Sequence, residues 1–458
     1  MKKFINISRY ITSILICFIL FIPSSCKIQN SGDPNNPSLE GVLSNATVPI
    51  LNTIVTGTES GMRVDLEFYL DDVSIVGREI LRFSGADPRY TSDLLGKGNN
   101  ILDNQAFYDT RPWNAFYRVV KNCNILIQAI GNTNLPTDAQ KQGYLAFANT
   151  IKAYELLLAL NLTNENGIRI DVSDPNHLGP IVDKTTALTA IAALLDQAAT
   201  QLDNAGTTFA FQLSAGFAGF NTPPTFKQFN QALAARVAVY RGNFAEALTH
   251  LSSSFLNLTG DYNATKGIGV YHIFSNAGGD QLNRFFLPLN STGEVRGVEP
   301  TFISDAIAAG EGNDLRIANK TGLRSSPASS DNLTATYGVT LYKSNLDPIP
   351  IIRNEELMLI YAEAKINTGA LADAVTVLNT IRTGNGLNPY AGPVTQPALI
   401  TEMLKQRRYS LFGEGHRWID MRRYNLLDQL PLGRAGDHVW RCFPIPFPEN
   451  VGPGSCLL

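Results

Sequence analysis

Two stretches of the chain share one pattern of small and apolar residues, and this pattern limits the fold more than any other feature. In each stretch, apolar side chains recur on one face of a helix, a glycine follows, and a second run repeats the same periodicity. Both fit the pattern G-x4-A-x3-L, with Gly242, Ala247 and Leu251 in the first copy and Gly369, Ala374 and Leu378 in the second. Because glycine readily ends a helix, each stretch predicts two helices joined by a tight turn.

The spacing in these copies resembles the tetratricopeptide repeat, in which small residues let paired helices approach closely. Other regions have the helical periodicity without the glycine signature. Helical pairs are predicted at about 111–162, 187–256 and 351–384, with a further helix at about 399–424. Long segments rich in Gly, Asn, Ser and Thr separate them. The sequence therefore predicts a mostly α fold, a tetratricopeptide-like scaffold of about four helical pairs that carries long irregular loop insertions.

Residues 1–25 have the features of an export signal. Lys2, Lys3 and Arg9 precede an apolar run that is too short to span a bilayer comfortably. The stretch "PSSC" follows, so we expect cleavage before Cys26 and acylation of that residue, as in a bacterial lipoprotein. An ordinary signal peptide with an incidental cysteine is the alternative. The polar residues 26–40 predict a flexible tether, and residues 41–458 the folded domain.

Charge and composition argue against several classes of function. The formal net charge is −3 and the chain has no long basic run, so we expect no nucleic-acid partner. No spacing of cysteine and histidine suggests a metal site, and we expect no cofactor. Cys442 and Cys456 can pair outside the cytoplasm, but the sequence leaves this open.

The most highly charged segment is "LFGEGHRWIDMRR", from Leu411 to Arg423. Its spacing predicts one continuous helix, which would point Glu414 and His416 in roughly opposite directions. A zinc-binding helix would need a second histidine where Asp420 stands. No nucleophile accompanies these groups, so we predict that they stabilise the fold and that the protein is not an enzyme.

The same segment also carries a resemblance to a known family. "RRYSLFGEGHRWIDMRR" resembles the C-terminal signature of the SusD/RagB family of bacterial outer-membrane nutrient-binding lipoproteins. "ELMLIYAEAKINTG", "NDLRI" and "RCFPIPFPEN" are similar to other elements of that family, as is the lipoprotein signal. The resemblance implies four tetratricopeptide-like helical pairs with a loop-rich second part. It also implies a protein that caps a SusC-like TonB-dependent transporter and binds glycans, or in some members peptides, without catalysis.

By the same resemblance, ligand is expected at the loops before the first helical pair and between the third and fourth pairs. Aromatic rings there can stack on a sugar while charged groups bond its hydroxyls. The predicted ligand-binding residues are Tyr69, Arg78, Phe83, Asp87, Arg89 and Tyr90 in the first set, and Tyr271 and Tyr337 in the second, where Phe274 and Tyr342 also lie. For each aromatic residue, core packing beneath a long loop is the alternative.

We therefore expect a lipid-anchored outer-membrane protein at the cell surface that binds glycan oligomers and delivers them to a SusC-like transporter. A peptide-binding member of the same family is one alternative, and the presence of only three tryptophans keeps it open. A periplasmic tetratricopeptide-type adaptor that binds proteins is another. The separated repeats and long insertions argue against the adaptor.

Overall fold

The computed structural model describes residues 43–452, 454 and 456. The helices are α1 Val48–Gly61, α2 Leu66–Val76, α3 Phe107–Gly131, α4 Asp138–Thr163, α5 Lys184–Asp203, α6 Pro223–Tyr240, α7 Phe244–Ser252, α8 Tyr262–Thr265, α9 Thr301–Ala308, α10 Leu315–Lys320, α11 Asn354–Asn367, α12 Leu371–Gly384, α13 Gln396–Ser410 and α14 Arg417–Arg423. The strands are β1 Ile80–Ser84, β2 Ile168–Arg169, β3 Ile181–Val182, β4 Gly269–His272, β5 Glu294–Val298, β6 Thr321–Ser330, β7 Leu333–Val339 and β8 Ile349–Arg353. The predicted signal, Cys26 and the tether at 26–40 lie outside the described residues.

The long helices stack in sequence order to form the scaffold. Helix α3 packs on α4, α4 on α5, α5 on α6 and α6 on α7. Helix α11, far along the chain, then packs on α7, and α12 and α13 pack on α11. The two stretches that share the glycine pattern are therefore neighbours in space. The predicted fold class, a mostly α scaffold of tetratricopeptide-like helical pairs, is confirmed. Within the described residues, none of these helices has the length and apolar character needed to cross a membrane.

The turns within the two hairpins have the backbone conformation that glycine favours. Gly242 follows α6 with φ of 73°, and Gly369 follows α11 with φ of 84°. The alanine that comes next in each pattern, Ala247 or Ala374, is completely buried. A larger side chain there would hold the paired helices apart, so the pattern of small residues has a direct packing reason.

The prediction of one continuous helix over the charged segment is wrong. Helix α13 ends at Ser410 and α14 begins only at Arg417. Between them, Gly413 and Gly415 have φ of 73° and 85°, a conformation that ends a right-handed helix. The side chains of Leu411 and Trp418 are buried on either side of the turn. Because these two residues keep helical spacing across the turn, the pattern of apolar residues did not reveal the break.

The insertions expected to be irregular contain regular structure. Helix α2 is buried almost all round, including Asp71 and Asp72, so its sequence lacks an amphipathic stripe. An antiparallel sheet has the strand order β1-β5-β7-β6. In that sheet Phe83 pairs with Val295. The sheet thus joins the loops before the first helical pair to those between the third and fourth pairs.

The C-terminal segment returns to the scaffold and is covalently closed. Cys442 and Cys456 form a disulfide, which answers the question that the sequence leaves open. Nearby, Nε1 of Trp418 donates a hydrogen bond of 2.8 Å to the carbonyl oxygen of Trp440. Both indole rings are buried, so this tail is part of the core.

Candidate ligand-binding site

Two phenylalanine rings and two guanidinium groups form a partly exposed surface beside the start of α3. Phe107 is the first residue of α3 and Arg111 lies one turn later, on the same side of the helix. The ring of Phe68, on α2, meets that of Phe107 edge to face, with centroids 5.6 Å apart. The guanidinium carbon of Arg111 lies 4.5 Å from the centroid of the Phe68 ring, and that of Arg89 lies 4.8 Å from the centroid of the Phe107 ring. We call these four residues the Arg–Phe platform.

Asp87 fixes the position of Arg89. Its Oδ1 accepts hydrogen bonds from the backbone nitrogen and Nε of Arg89, both at 3.0 Å, and its Oδ2 accepts from Nη2 at 2.6 Å. These bonds from Arg89 hold the pKa of Asp87 below its usual value, so the carboxylate is charged. The Arg89 side chain is still 41% exposed. The platform therefore presents an ordered guanidinium group to solvent.

Positive charge exceeds negative charge at the platform. Arg111 is exposed and has no carboxylate within 4 Å in the part of the chain that the structure describes. Arg284 is 71% exposed and lies 3.7 Å from Glu67 on α2. The platform itself thus has two guanidinium groups, of Arg89 and Arg111, and one carboxylate, that of Asp87. Their free N–H groups can donate hydrogen bonds to hydroxyl or carboxylate oxygens of a ligand.

The platform rests on a buried layer that holds its rings in place. Tyr90 packs on Phe107 with centroids 5.0 Å apart, and Arg82 of β1 lies 5.3 Å from the Tyr90 centroid. Arg82 in turn forms an ion pair with Glu294 of β5 and lies 3.7 Å from Asp71 of α2. Strand, helix and loop thus fix the rings before any ligand arrives, which lowers the entropy cost of binding.

Four of the predicted ligand-binding residues are buried: Tyr90 beneath the platform, and Tyr69, Arg78 and Phe83 elsewhere in the interior. Tyr69 is 3% exposed, and its hydroxyl accepts a hydrogen bond of 3.1 Å from Nδ2 of Asn161. Phe83 is buried in the sheet. Arg78 is also buried and donates to four backbone carbonyls, those of Ile75, Leu95, Pro431 and His438. Burial lowers the pKa of Arg78 to about 10, so it remains charged at neutral pH. Tyr69 and Phe83 therefore have the alternative role of core packing, whereas Arg78 bonds backbone carbonyls inside the protein.

The structure brings together only part of the predicted set. Asp87 and Arg89 lie at the platform surface, with Tyr90 directly beneath. Tyr271 is on β4, where it lines a separate polar pocket of about 330 Å³. Tyr337 is on β7, paired with Leu323 of β6. Neither tyrosine contacts the platform.

Sequence reasoning missed Phe68, Phe107 and Arg111. Phe68 precedes Tyr69 in α2, and adjacent helical positions point in different directions. The prediction of Tyr69 as a ligand contact therefore named the side chain that points into the core, instead of Phe68. Phe107 and Arg111 are four residues apart at the start of a helix, and this spacing was the available signal.

The charged segment around His416 is held by partners inside the protein. Close pairs join Arg353 to Glu414 at 2.8 Å, Arg407 to Asp420 at 2.6 Å and Arg423 to Glu363 at 2.7 Å. Burial lowers the pKa of His416 to about 4, so its ring is neutral at pH 7. Among the described residues no cluster of His, Cys, Asp and Glu could hold a metal ion. This arrangement agrees with the structural role predicted for the segment.

A more apolar cleft of about 250 Å³ lies between α3 and the loop after β2, lined in part by Val172 and Leu178. Three of its polar groups bond to one another. The Tyr117 hydroxyl donates to the carbonyl oxygen of Arg169 at 2.8 Å, and Nε of Arg169 pairs with Glu449. Since the lining is mostly apolar and has no aromatic ring besides Tyr117, this cleft fits a glycan less well than the platform does.

Comparison with known proteins identifies the family. The model of the SusD family matches residues 315–437. Over these residues the chain matches the SusD/RagB family. The matched region runs from the first residue of α10 to the loop beyond α14, so it contains the charged segment. The family predicted from the resemblance is confirmed.

Solved SusD-like structures cover nearly the whole chain. Surface glycan-binding protein A from Bacteroides thetaiotaomicron is 14% identical, with a TM-score of 0.67 over 89% of this chain and 99% of that chain. A SusD superfamily protein from Bacteroides vulgatus is 17% identical, with a TM-score of 0.65 over 88% and 97%. NanU of B. fragilis is 14% identical, with a TM-score of 0.61 over 93% and 99%. At these identities the likeness shows the fold alone. No curated protein matches the sequence.

The Arg–Phe platform lies outside the region that the SusD family model matches. Its residues fall between positions 68 and 111, whereas the match begins at Leu315. The likeness to solved structures therefore shows the scaffold, and the ligand contacts depend on residues that the family match does not cover.

Proposed function

We propose that this SusD-family protein binds glycan oligomers at the Arg–Phe platform and delivers them to a SusC-like TonB-dependent transporter, without transforming them. The observation that carries the binding role is the pair of half-buried rings, Phe68 and Phe107, flanked by ordered guanidinium groups. Ring edges can pack against the C–H groups of a sugar while N–H groups bond its hydroxyls. The shared fold with a surface glycan-binding protein supports this role.

A peptide ligand is the second candidate, and the charge of the platform is what favours it. Arg111 has no carboxylate partner in the described part of the chain, and it can bond a peptide carboxylate at two points. Screening the purified mature protein against polysaccharides and protein digests distinguishes the two classes before any mutant is made.

The binding role is tested with the double variant Phe68→Ala/Phe107→Ala. We expect affinity for the best ligand to fall about tenfold or more, because each aromatic contact contributes about 0.5–1.5 kcal/mol. Phe244→Ala is the matched control, since Phe244 is half-buried at the start of α7, away from the platform. A folded double variant that keeps full affinity would show that the platform is not the site.

The cellular role rests on the predicted acylation of Cys26 and on family membership. Cys26→Ala should move the protein from the membrane fraction to the soluble fraction of detergent-free lysates. Affinity purification of the native protein from outer membranes should recover a TonB-dependent transporter. Retention of the Cys26→Ala protein in the membrane would contradict the lipid anchor, and recovery of no transporter would contradict delivery.

A further inference from the structure

The polar pocket of about 330 Å³ shares no lining residue with the Arg–Phe platform. It lies between α10, β4, β8 and the turn before α14. Its apolar walls come from Tyr271, Leu341 and Pro350, and its charged lining groups are Lys266, Arg316, Lys320, Arg353, Glu355 and Glu414. Its volume falls at the lower end of the range for small-molecule sites, roughly 300–1,000 Å³.

Arg353 forms ion pairs with both carboxylates that line the pocket, those of Glu355 and Glu414. Its Nη1 donates to Glu355, while Nη2 and Nε donate to the two oxygens of Glu414 at 2.8 and 3.1 Å. The ammonium of Lys320 lies further away, 3.7 Å from Glu414. It donates one hydrogen bond to the carbonyl oxygen of Ser410. Because Arg353 already binds both carboxylates and an ammonium has three donors, Lys320 can also pair with an anion from outside.

The remaining cations leave the pocket with an excess positive charge. Arg316 is matched by Asp314 at 2.6 Å. Lys266 donates to Oδ1 of Asn263 at 2.9 Å and has no carboxylate within 4 Å among the residues described. The four cations of the lining thus face three carboxylates, counting Asp314. This balance favours a ligand with a single negative charge, since a second charge would meet the two glutamates.

Within the part of the chain that the structure describes, the hydroxyl of Tyr342 lacks a hydrogen-bond partner. Tyr342 lines the pocket and is 7% exposed, and its buried hydroxyl makes no hydrogen bond within the described structure. Burial raises the pKa of this phenol well above its usual value, so it keeps its proton and can donate. A buried donor without an acceptor is destabilising, and a ligand oxygen in the pocket would remove that cost.

We propose that this pocket is a second binding site, which takes a small molecule bearing one carboxylate. The carboxylate accepts hydrogen bonds from the Tyr342 hydroxyl and the Lys320 ammonium, and the rest of the ligand packs against Tyr271 and Pro350. A uronic acid unit and the free C-terminus of a short peptide both offer this chemistry. The inference is independent of glycan binding at the platform.

The test uses calorimetric titration of the mature protein with four probes: D-glucuronate, neutral D-glucose, a dipeptide and its C-terminal amide. We expect at least one carboxylate probe to bind and its uncharged counterpart not to bind. Tyr342→Phe should weaken that binding about tenfold, the usual loss for a hydrogen bond to a charged group. The melting temperature should not fall, because the hydroxyl has no partner among the described residues. Tyr361→Phe on α11, outside the pocket, is the matched control.

Each outcome decides the proposal. Preference for glucuronate over glucose identifies a uronic acid ligand, and preference for the dipeptide over its amide identifies a peptide ligand. Absence of binding by both carboxylates, equal binding of the uncharged probes, or full affinity in Tyr342→Phe would overturn it. Phe68→Ala/Phe107→Ala should leave carboxylate binding unchanged. Loss in that variant would place the carboxylate at the platform and also overturn the proposal.

Discussion

Nε of Arg407 donates a hydrogen bond of 2.6 Å to the carboxylate of Asp420 across the glycine turn that separates α13 from α14. Both side chains are almost fully buried, at 1% and 3% exposure. The other carboxylate oxygen of Asp420 accepts from Nη2 of Arg423 at 2.9 Å. The carboxylate therefore links α13 to α14 through Arg407 and is held within α14 by Arg423. The charged segment stabilises the fold. Its contribution to the free energy of unfolding can be measured at the Arg407–Asp420 pair.

Asp420→Asn should be strongly destabilising. The change leaves Arg407 and Arg423 charged and buried without their shared carboxylate, which costs about 3–5 kcal/mol in comparable cases. Urea unfolding measures the free energy. Asp305→Asn is the control, because Asp305 pairs with Arg408 at 2.7 Å but is 54% exposed, and such pairs contribute about 0–1 kcal/mol. Equal losses in the two variants would contradict the structural role.

His416 should make stability depend on pH between about 6.5 and 4. Burial lowers its pKa to about 4, whereas an unfolded histidine titrates near 6.5. Between these values the unfolded chain binds a proton that the folded protein does not, so stability falls as pH falls. His416→Gln should reduce this slope in unfolding measured at pH 7, 6 and 5. His272, whose pKa burial lowers to about 3, should account for part of the remainder.

The ligand affinity of His416→Gln at pH 7 separates structure from binding. Since the ring is buried among internal partners, affinity per folded molecule should be unchanged. An unchanged pH slope, or a stably folded variant that has lost binding, would contradict this account.

The helical scaffold could be predicted because its signals are local. Ala247 and Ala374 recur at fixed spacing after their glycines, and helical periodicity needs only neighbouring residues to be visible. The break between α13 and α14 was hidden, since Leu411 and Trp418 keep apolar spacing across Gly413. Helix α2 was hidden for the opposite reason, because burial on all sides leaves no stripe to detect.

The candidate site could be predicted only in part. The loop that carries Asp87 and Arg89 was identified, since their pairing is local. The ring of Phe107 reaches Arg89 through tertiary packing that no periodicity encodes. The choice between Phe68 and Tyr69 depended on which side of α2 faces the core, and a helix buried almost all round gives no such signal.

Glu355 should contribute to stability in a second, more acidic window. Burial alone would raise its pKa, but the charges of Arg353 and Lys320 outweigh burial and lower it to about 2. The ionised Glu355 therefore adds to the free energy of unfolding above about pH 4.5, and this contribution is lost as the pH falls toward 2. It is on the order of 3 kcal/mol, at about 1.4 kcal/mol per pKa unit. Glu355→Gln should lower stability at pH 7 and flatten the decline below pH 4.5. A parallel decline in both proteins would show that other carboxylates dominate.

Phe83→Ala and Phe68→Ala should have opposite effects, although both residues lie in segments that precede the first helical pair. Phe83 is 5% exposed, so its truncation should cost roughly 3–5 kcal/mol of stability and leave the affinity of each folded molecule unchanged. Phe68 is half-buried at the platform, so its truncation should cost less stability and weaken ligand binding. Thermal melting and calorimetric titration of the same samples measure both quantities. A Phe83→Ala protein that stays stable but no longer binds would move the site from the platform to the sheet, where β1 pairs with β5.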